Sequence, residues 1–183
     1  MNLIWHACGD YSEIGKNSIL QEAVNEALSL VPPEHLRRLD AIEVHDRDRK
    51  RKSLGLWRQD HSGIVIEVYL EPHVAPLLFL PPPIRSFALR GYLAYTLFHE
   101  VGHHVTRVLN RRAAPPRKAA LVEEKIEKWA DQYAEKRIAK LCALWLRPEG
   151  RAASPSQRLA LQAALRALRL PDIEGTNTAI PSS

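Results

Sequence analysis

The chain predicts an α+β domain in which a small three-stranded sheet packs on long helices, and three observations carry that expectation. Between Gly63 and Glu71, Ile64, Ile66, Val68 and Leu70 alternate with Val65, Glu67, Tyr69 and Glu71, which is the period of a half-buried strand. Two later segments, 86–109 and 121–146, repeat apolar residues every three to four positions, the period of a helix with one buried face. With 183 residues and 45% hydrophobic content there is material for one real core and too little for two ordinary domains. One domain is therefore expected over residues 1–170, followed by a disordered tail over 171–183.

From the N-terminus onward, Asn17 to Leu30 carries Ile19, Leu20, Ala23, Val24, Ala27 and Leu28 at helical spacing, and Pro32-Pro33 ends that helix. Leu39 to His45 reads as a short strand. Ser53 to Gln59, with Leu54, Leu56 and Trp57, reads as a second strand, and the turn Asp60-His61-Ser62-Gly63 leads into the third. Pro72, Pro76 and Pro81-Pro82-Pro83 argue against regular structure, so Glu71 to Pro83 is expected to be a stiff apolar connector.

A long, largely buried helix should follow from about Ser86 to Leu109, with Leu89, Leu93, Leu97 and Val101 inward beside Tyr92, Phe98, Val105 and Val108. Gly102 within it costs helix stability but lets a neighbouring backbone come close. After a basic loop from Asn110 to Ala120, a second long helix from Leu121 to Leu146 has Ile126, Trp129, Ala130, Tyr133, Ile138, Leu141 and Trp145 at the same period. Its aromatic residues Trp129, Tyr133 and Trp145 are expected to pack in the core or between helices. Pro148-Glu149-Gly150 closes it, and a last helix from Ser156 to Leu168 should cover the core with Leu161, Leu165 and Leu168.

Composition narrows the setting. Cys8 and Cys142 are too few for a disulfide framework. The start lacks a basic segment and its apolar run Leu3-Ile4-Trp5 stops at His6, so no secretory signal is expected. Without about 18 uninterrupted apolar residues no membrane helix is expected either, and the chain reads as cytoplasmic. The net charge of +5 permits an acidic partner. The dense basic run Arg47 to Lys52 has no interleaved aromatic residues for base stacking, so a solvated loop is favoured over a nucleic-acid surface.

The chemistry lies in His99-Glu100-Val101-Gly102-His103. On a helix, residues four apart share a face with Cβ atoms roughly 5 to 6 Å apart, so His99 and His103 can converge on one ion about 2.0 to 2.1 Å from each nitrogen. Glu100 is rotated off that line, toward the place an attacking water would take. Catalytic zinc usually takes three protein ligands, and the second long helix offers Glu123, Glu124, Glu127, Asp131 and Glu135. Glu127 and Asp131 share a face with Ala130, Ala134 and Ile138, whereas Glu123, Glu124 and Glu135 lie nearer the Lys-rich side. Glu127 thus fits the third ligand. Asp131, one turn on, fits an acceptor for the far nitrogen of a liganding histidine.

His99-Glu100-Val101-Gly102-His103 followed by Glu127-Lys128-Trp129-Ala130-Asp131-Gln132-Tyr133-Ala134 resembles the gluzincin metallopeptidases, most of all the compact ImmA/IrrE type, over about residues 53–138. The resemblance implies a zincin-like fold, Zn2+ on His99, His103 and Glu127, Glu100 as general base and general acid, and Asp131 as orienter. The chain departs from the pattern in having Asp131 where Asn is frequent and in lacking a Leu-Met-Pro-like segment. A peptide or protein substrate follows from the resemblance, with Glu100 taking a proton from water and returning it to the leaving amine.

A substrate could add as a strand beside Gly63 to Glu71 if that strand is a sheet edge. Tyr133, His104, His61 and His73 are the options for stabilising a transition state. His6 and Cys8 could reach the metal as inhibitory ligands, against ordinary packing. The rival class is a metal-binding regulatory or interaction module that cleaves little; retention of Glu100 favours chemistry, because a structural site needs only ligands.

Overall fold

Sheet formation begins at the very N-terminus. In the computed structural model, which describes residues 1–6, 18–47, 53–109 and 119–145, β1 (Asn2–Trp5) is followed by α1 (Ser18–Ser29), a short 3-10 turn (Pro33–Leu36), β2 (Ala41–His45), β3 (Gly55–Asp60) and β4 (Gly63–Tyr69). Then come α2 (Leu70–Val74), a 3-10 turn (Ala75–Leu77), α3 (Pro82–His104), a π-helical turn (Val105–Leu109) and α4 (Ala119–Trp145). The class is α+β as expected, but the sheet has four strands in the order β1-β2-β4-β3, not three. Leu3-Ile4-Trp5 is the added strand: a parallel partner for Ile42, Glu43 and Val44, too short to show a period in sequence. Of the basic loop expected over 110–120, residues 110–118 lie outside the described residues and Ala119 and Ala120 already belong to α4; the last helix at 156–168, the tail at 171–183 and most of the run Arg47 to Lys52 also lie outside them.

Strands β1, β2 and β4 run parallel, and β3 returns antiparallel to β4 through the Asp60–Gly63 turn. That turn forms where expected. The Asp60 carboxylate accepts the Ser62 backbone N–H at 2.7 Å, and Gly63 takes φ 132°, where an added Cβ would run into the Asp40 carboxylate. One face of the sheet, through Ile42, Val44, Ile66 and Val68, is buried beneath α1 and α3. The other face bears Glu43, His45, Arg58 and Glu67, joined by ion pairs, among them Arg58 Nε to Glu67 Oε1 at 2.5 Å.

Because β4 lies between β2 and β3, it is not the edge beside the motif helix; β3 holds that place. Nor is 71–83 an irregular connector. Pro72 falls in the first turn of α2 and Pro76 in the first positions of the following 3-10 turn, where a missing N–H leaves no hydrogen bond unmade. For the same reason α3 begins at Pro82 rather than near Ser86. Its stripe of Leu89, Leu93, Leu97 and Val101 is buried as patterned, each fully buried Leu contributing roughly 1.5–3 kcal/mol.

Helix α4 lies along α3. Ala130, Ala134, Ile138 and Leu141 are buried against it, and Trp145 meets Phe87 edge-on while its Nε1–H donates to Glu26 Oε2 at 2.8 Å. Tyr133 is buried, but Trp129 is 40% exposed, so only two of the three aromatic residues of this helix pack as expected. The Ala130–Ala134 strip lets the two helix backbones close up, and that closeness builds the site.

Candidate metal centre

The four-residue spacing on α3 brings His99 Nε2 and His103 Nε2 to 3.0 Å, with their rings nearly perpendicular. From α4, Glu127 supplies Oε2 at 3.4 Å from His99 Nε2 and Oε1 at 3.5 Å from His103 Nε2. Three ligands at about 2.0 to 2.1 Å in a tetrahedral arrangement would be separated by roughly 3.3 Å. The three donor groups expected from the sequence therefore converge, the two imidazole nitrogens and the Glu127 carboxylate oxygens facing one another at 3.0 to 3.5 Å, and they are one of two groupings among the described residues that could hold a metal.

Asp131 stands where a supporting acceptor is required. Its Oδ1 is 2.9 Å from His99 Nδ1 and 3.5 Å from the Tyr95 hydroxyl that donates to it. Holding the proton on Nδ1 leaves the Nε2 lone pair for the shared point. His103 is buried, its Nδ1 has no hydrogen-bond partner, and its pKa is lowered to about 4 by burial, then by the neighbouring His99 and Arg107. A neutral imidazole is the form that can ligate. The histidines are inside, with side chains 20% and 9% exposed, whereas Glu127 and Asp131 at 50% and 51% lie on the rim of the inward face.

Glu100 lies outside this grouping but near enough to Glu127 to feel its charge. It is buried against β3: a Cβ on Gly55 would come within 2.9 Å of its Cγ, so only glycine lets the strand pass. Because Tyr69 N–H donates to Leu54 O and the register alternates from there, the Trp57 N–H points away from β4 to the free edge of the sheet. The Glu100 carboxylate accepts it there. Burial raises the Glu100 pKa to about 7, with Glu127 adding to the rise and the Trp57 N–H and Arg107 opposing it.

Arg107, Trp57 and Gly55 were not expected from sequence. Arg107 lies one turn past His103 in the π-helical segment, its guanidinium 5.4 Å from the Trp57 ring and paired with Glu123. The four-residue repeat His99, His103, Arg107 was the one signal that could have found it. Trp57 and Gly55 come from a strand distant in sequence, and nothing local marks them.

The other expected contributors lie elsewhere. His73 is fully buried, donating Nδ1–H to Tyr69 O at 2.6 Å and accepting from Thr96 at 2.8 Å. His104, also fully buried, receives Trp57 Nε1–H at 3.3 Å and donates to Arg37 O at 2.8 Å. Tyr133 is bonded to His35 at 2.8 Å, and His61 is exposed on the β3–β4 turn. Cys8 lies outside the described residues. His6 is engaged across the sheet, 3.5 Å from Glu43 and stacked 4.2 Å from His45 with rings 9° apart. This is the second grouping of ligand types, but near-parallel rings direct their lone pairs along parallel planes rather than at one point.

Comparisons with protein-family models, with curated proteins and with solved structures gave no match.

Proposed function

We propose that this chain is a compact zincin-like metallopeptidase of the gluzincin kind, holding zinc on His99, His103 and Glu127 and hydrolysing peptide bonds with water. The observation that carries the reading is the pairing of a three-donor grouping with a second carboxylate, Glu100, outside it and near enough to Glu127 to feel its charge. A structural zinc site closes on four protein ligands; three ligands plus a neighbouring base is the composition of a hydrolytic one. Bound zinc would polarise the scissile carbonyl and acidify water.

The protein's own part falls to a few residues. Asp131 keeps His99 in the tautomer that ligates. The Trp57 N–H and the tight passage at Gly55 hold Glu100 in one orientation, which suits a group that must take a proton from water and hand it to the leaving amine. The substrate strand would add to β3, the sheet edge that runs past Glu100, rather than to the interior β4. Narrow specificity is part of the proposal, since the edge donor at Trp57 is already used by Glu100 and a substrate must register on the remaining edge groups.

The test is digestion of a mixed peptide library by the zinc-loaded protein, read by mass spectrometry beside the Glu100→Gln variant. Cleavage that is removed by a chelator and reduced at least about 100-fold in the variant supports the reading. Equal cleavage by both proteins refutes it, and metal binding with no cleavage of any library would favour a regulatory metal module.

A further inference from the structure

On the side of α4 turned roughly 180° from Glu127 and Asp131, a recess opens between that helix and the Pro33–Leu36 turn. It has a volume of about 300 Å³ and is lined by His35, Trp129, Gln132, Tyr133, Lys136 and Arg137. That volume is at the small end of ligand sites. Two of the lining residues are cationic and none is acidic.

Arg137 is the unusual member. Its guanidinium lies 3.3 Å from the centroid of the Tyr133 ring, and its Nη atoms reach the Tyr133 carbonyl and His35 Nδ1 at 3.4 Å each. Its Nε is buried without a hydrogen-bond partner, and among the described residues no carboxylate comes within 4.0 Å of it. A charge drawn out of water without a counter-charge is costly, and burial accordingly lowers the Arg137 pKa. His35 brings no third positive charge. Its Nδ1 accepts from the Tyr133 hydroxyl at 2.8 Å, and burial and Arg137 lower its pKa against a smaller rise from the neighbouring Glu34 carboxylate. Above this fixed cation stands Trp129, 40% exposed on a helix whose other aromatic residues are packed, its ring tilted 31° to Tyr133 at 5.9 Å.

We infer that this recess is a binding site for a small flat aromatic ligand carrying one oxyanion, a carboxylate or phosphate, with Arg137 and Lys136 taking the anionic head and Trp129 stacking on the body. The planar guanidinium fork suits two oxygens of one group, and the tryptophan face suits an aromatic plane. The site is independent of the metal centre.

Trp129 reports on its own site, so tryptophan fluorescence titrations with phenyl phosphate, benzoate, inorganic phosphate and phenol test the inference. Saturable binding of phenyl phosphate or benzoate is expected, the two arms deciding which oxyanion is preferred, with phenol and inorganic phosphate each at least about tenfold weaker. Arg137→Gln should weaken the aromatic anion about 10- to 100-fold, the value of one charged hydrogen-bonded contact, and Arg137→Lys by less. Trp129→Phe should remove the signal while calorimetry still detects binding, and the exposed Lys140→Gln should change neither. Circular dichroism of each variant identifies any that fails to fold, and the Lys and Phe variants then carry the test. Equal affinity in Arg137→Gln and wild type, or no saturable binding of either aromatic anion, overturns it.

Discussion

Ala130 lies against Gly102 so closely that a Cβ at position 102 would stand 2.8 Å from the Ala130 Cα and 3.1 Å from its Cβ. This contact sets the distance between α3 and α4 in the middle of the site: Gly102 adjoins His103, and Ala130 lies between Glu127 and Asp131.

Gly102→Ala should therefore lower stability and metal affinity together. Overpacking costs about 1–3 kcal/mol, against about 1 kcal/mol gained from helix propensity. The expected result is a fall in Tm of a few degrees and weaker zinc binding, read by melts with and without added zinc. Because the collision is with a backbone atom, Ala130→Gly should not restore either property.

Asp131→Asn should leave one metal per chain but weaken its binding about 10- to 100-fold, since the amide is a poorer acceptor for His99 Nδ1–H. Competition with a chromophoric chelator measures this. Unchanged affinity would mean that Asp131 does not orient His99.

The site was legible because both its helices print their geometry locally. Spacing of four puts His99 with His103 and Glu127 with Asp131, and the apolar partners Ala130, Ala134 and Ile138 indicated which carboxylates turn toward α3. What supports Glu100 was not legible, since Gly55 and Trp57 meet it only through the tertiary packing of β3 on α3. The short strand at Leu3 to Trp5 carries too few residues for a period, and α2 was hidden by Pro72, which in a first helical turn is no obstacle. Trp129 departs from its expected place for another reason: helical periodicity places a residue on a face, but the face of α4 that carries Trp129 opens on the recess beside His35 rather than on the core.

Gly55→Ala should separate catalysis from binding. The added methyl meets Glu100 Cγ and Thr96 Cγ2, so Glu100 must shift while His99, His103 and Glu127 keep their places. Metal content should be unchanged and peptide cleavage reduced about 100-fold, the effect of misplacing a reacting group by about 1 Å. Equal activity would show that Glu100 is not positioned by β3.

Acid should weaken the fold through His73. Burial lowers its native pKa from 6.5 to about 4. Above pH 6.5 both states are neutral and stability does not change on this account. Between those two values the unfolded chain takes up a proton that the native protein refuses, so stability falls as pH falls, by about 1.4 kcal/mol per unit and about 3 kcal/mol in all. Urea unfolding at pH 7, 6 and 5 in the presence of a chelator, beside His73→Gln, isolates the effect. The wild type should lose about 1.4 kcal/mol per pH unit more than the variant once both are below pH 6.5. Parallel curves would assign the acid sensitivity to other groups.

Metal analysis of four purified proteins shows which side chains hold the ion. Wild type and Glu100→Gln should each hold about one zinc per chain, whereas His103→Ala and Glu127→Ala should lose it, consistent with three protein ligands and a base that is not one of them. Full zinc occupancy and affinity in Glu127→Ala would show that Glu127 is not a ligand.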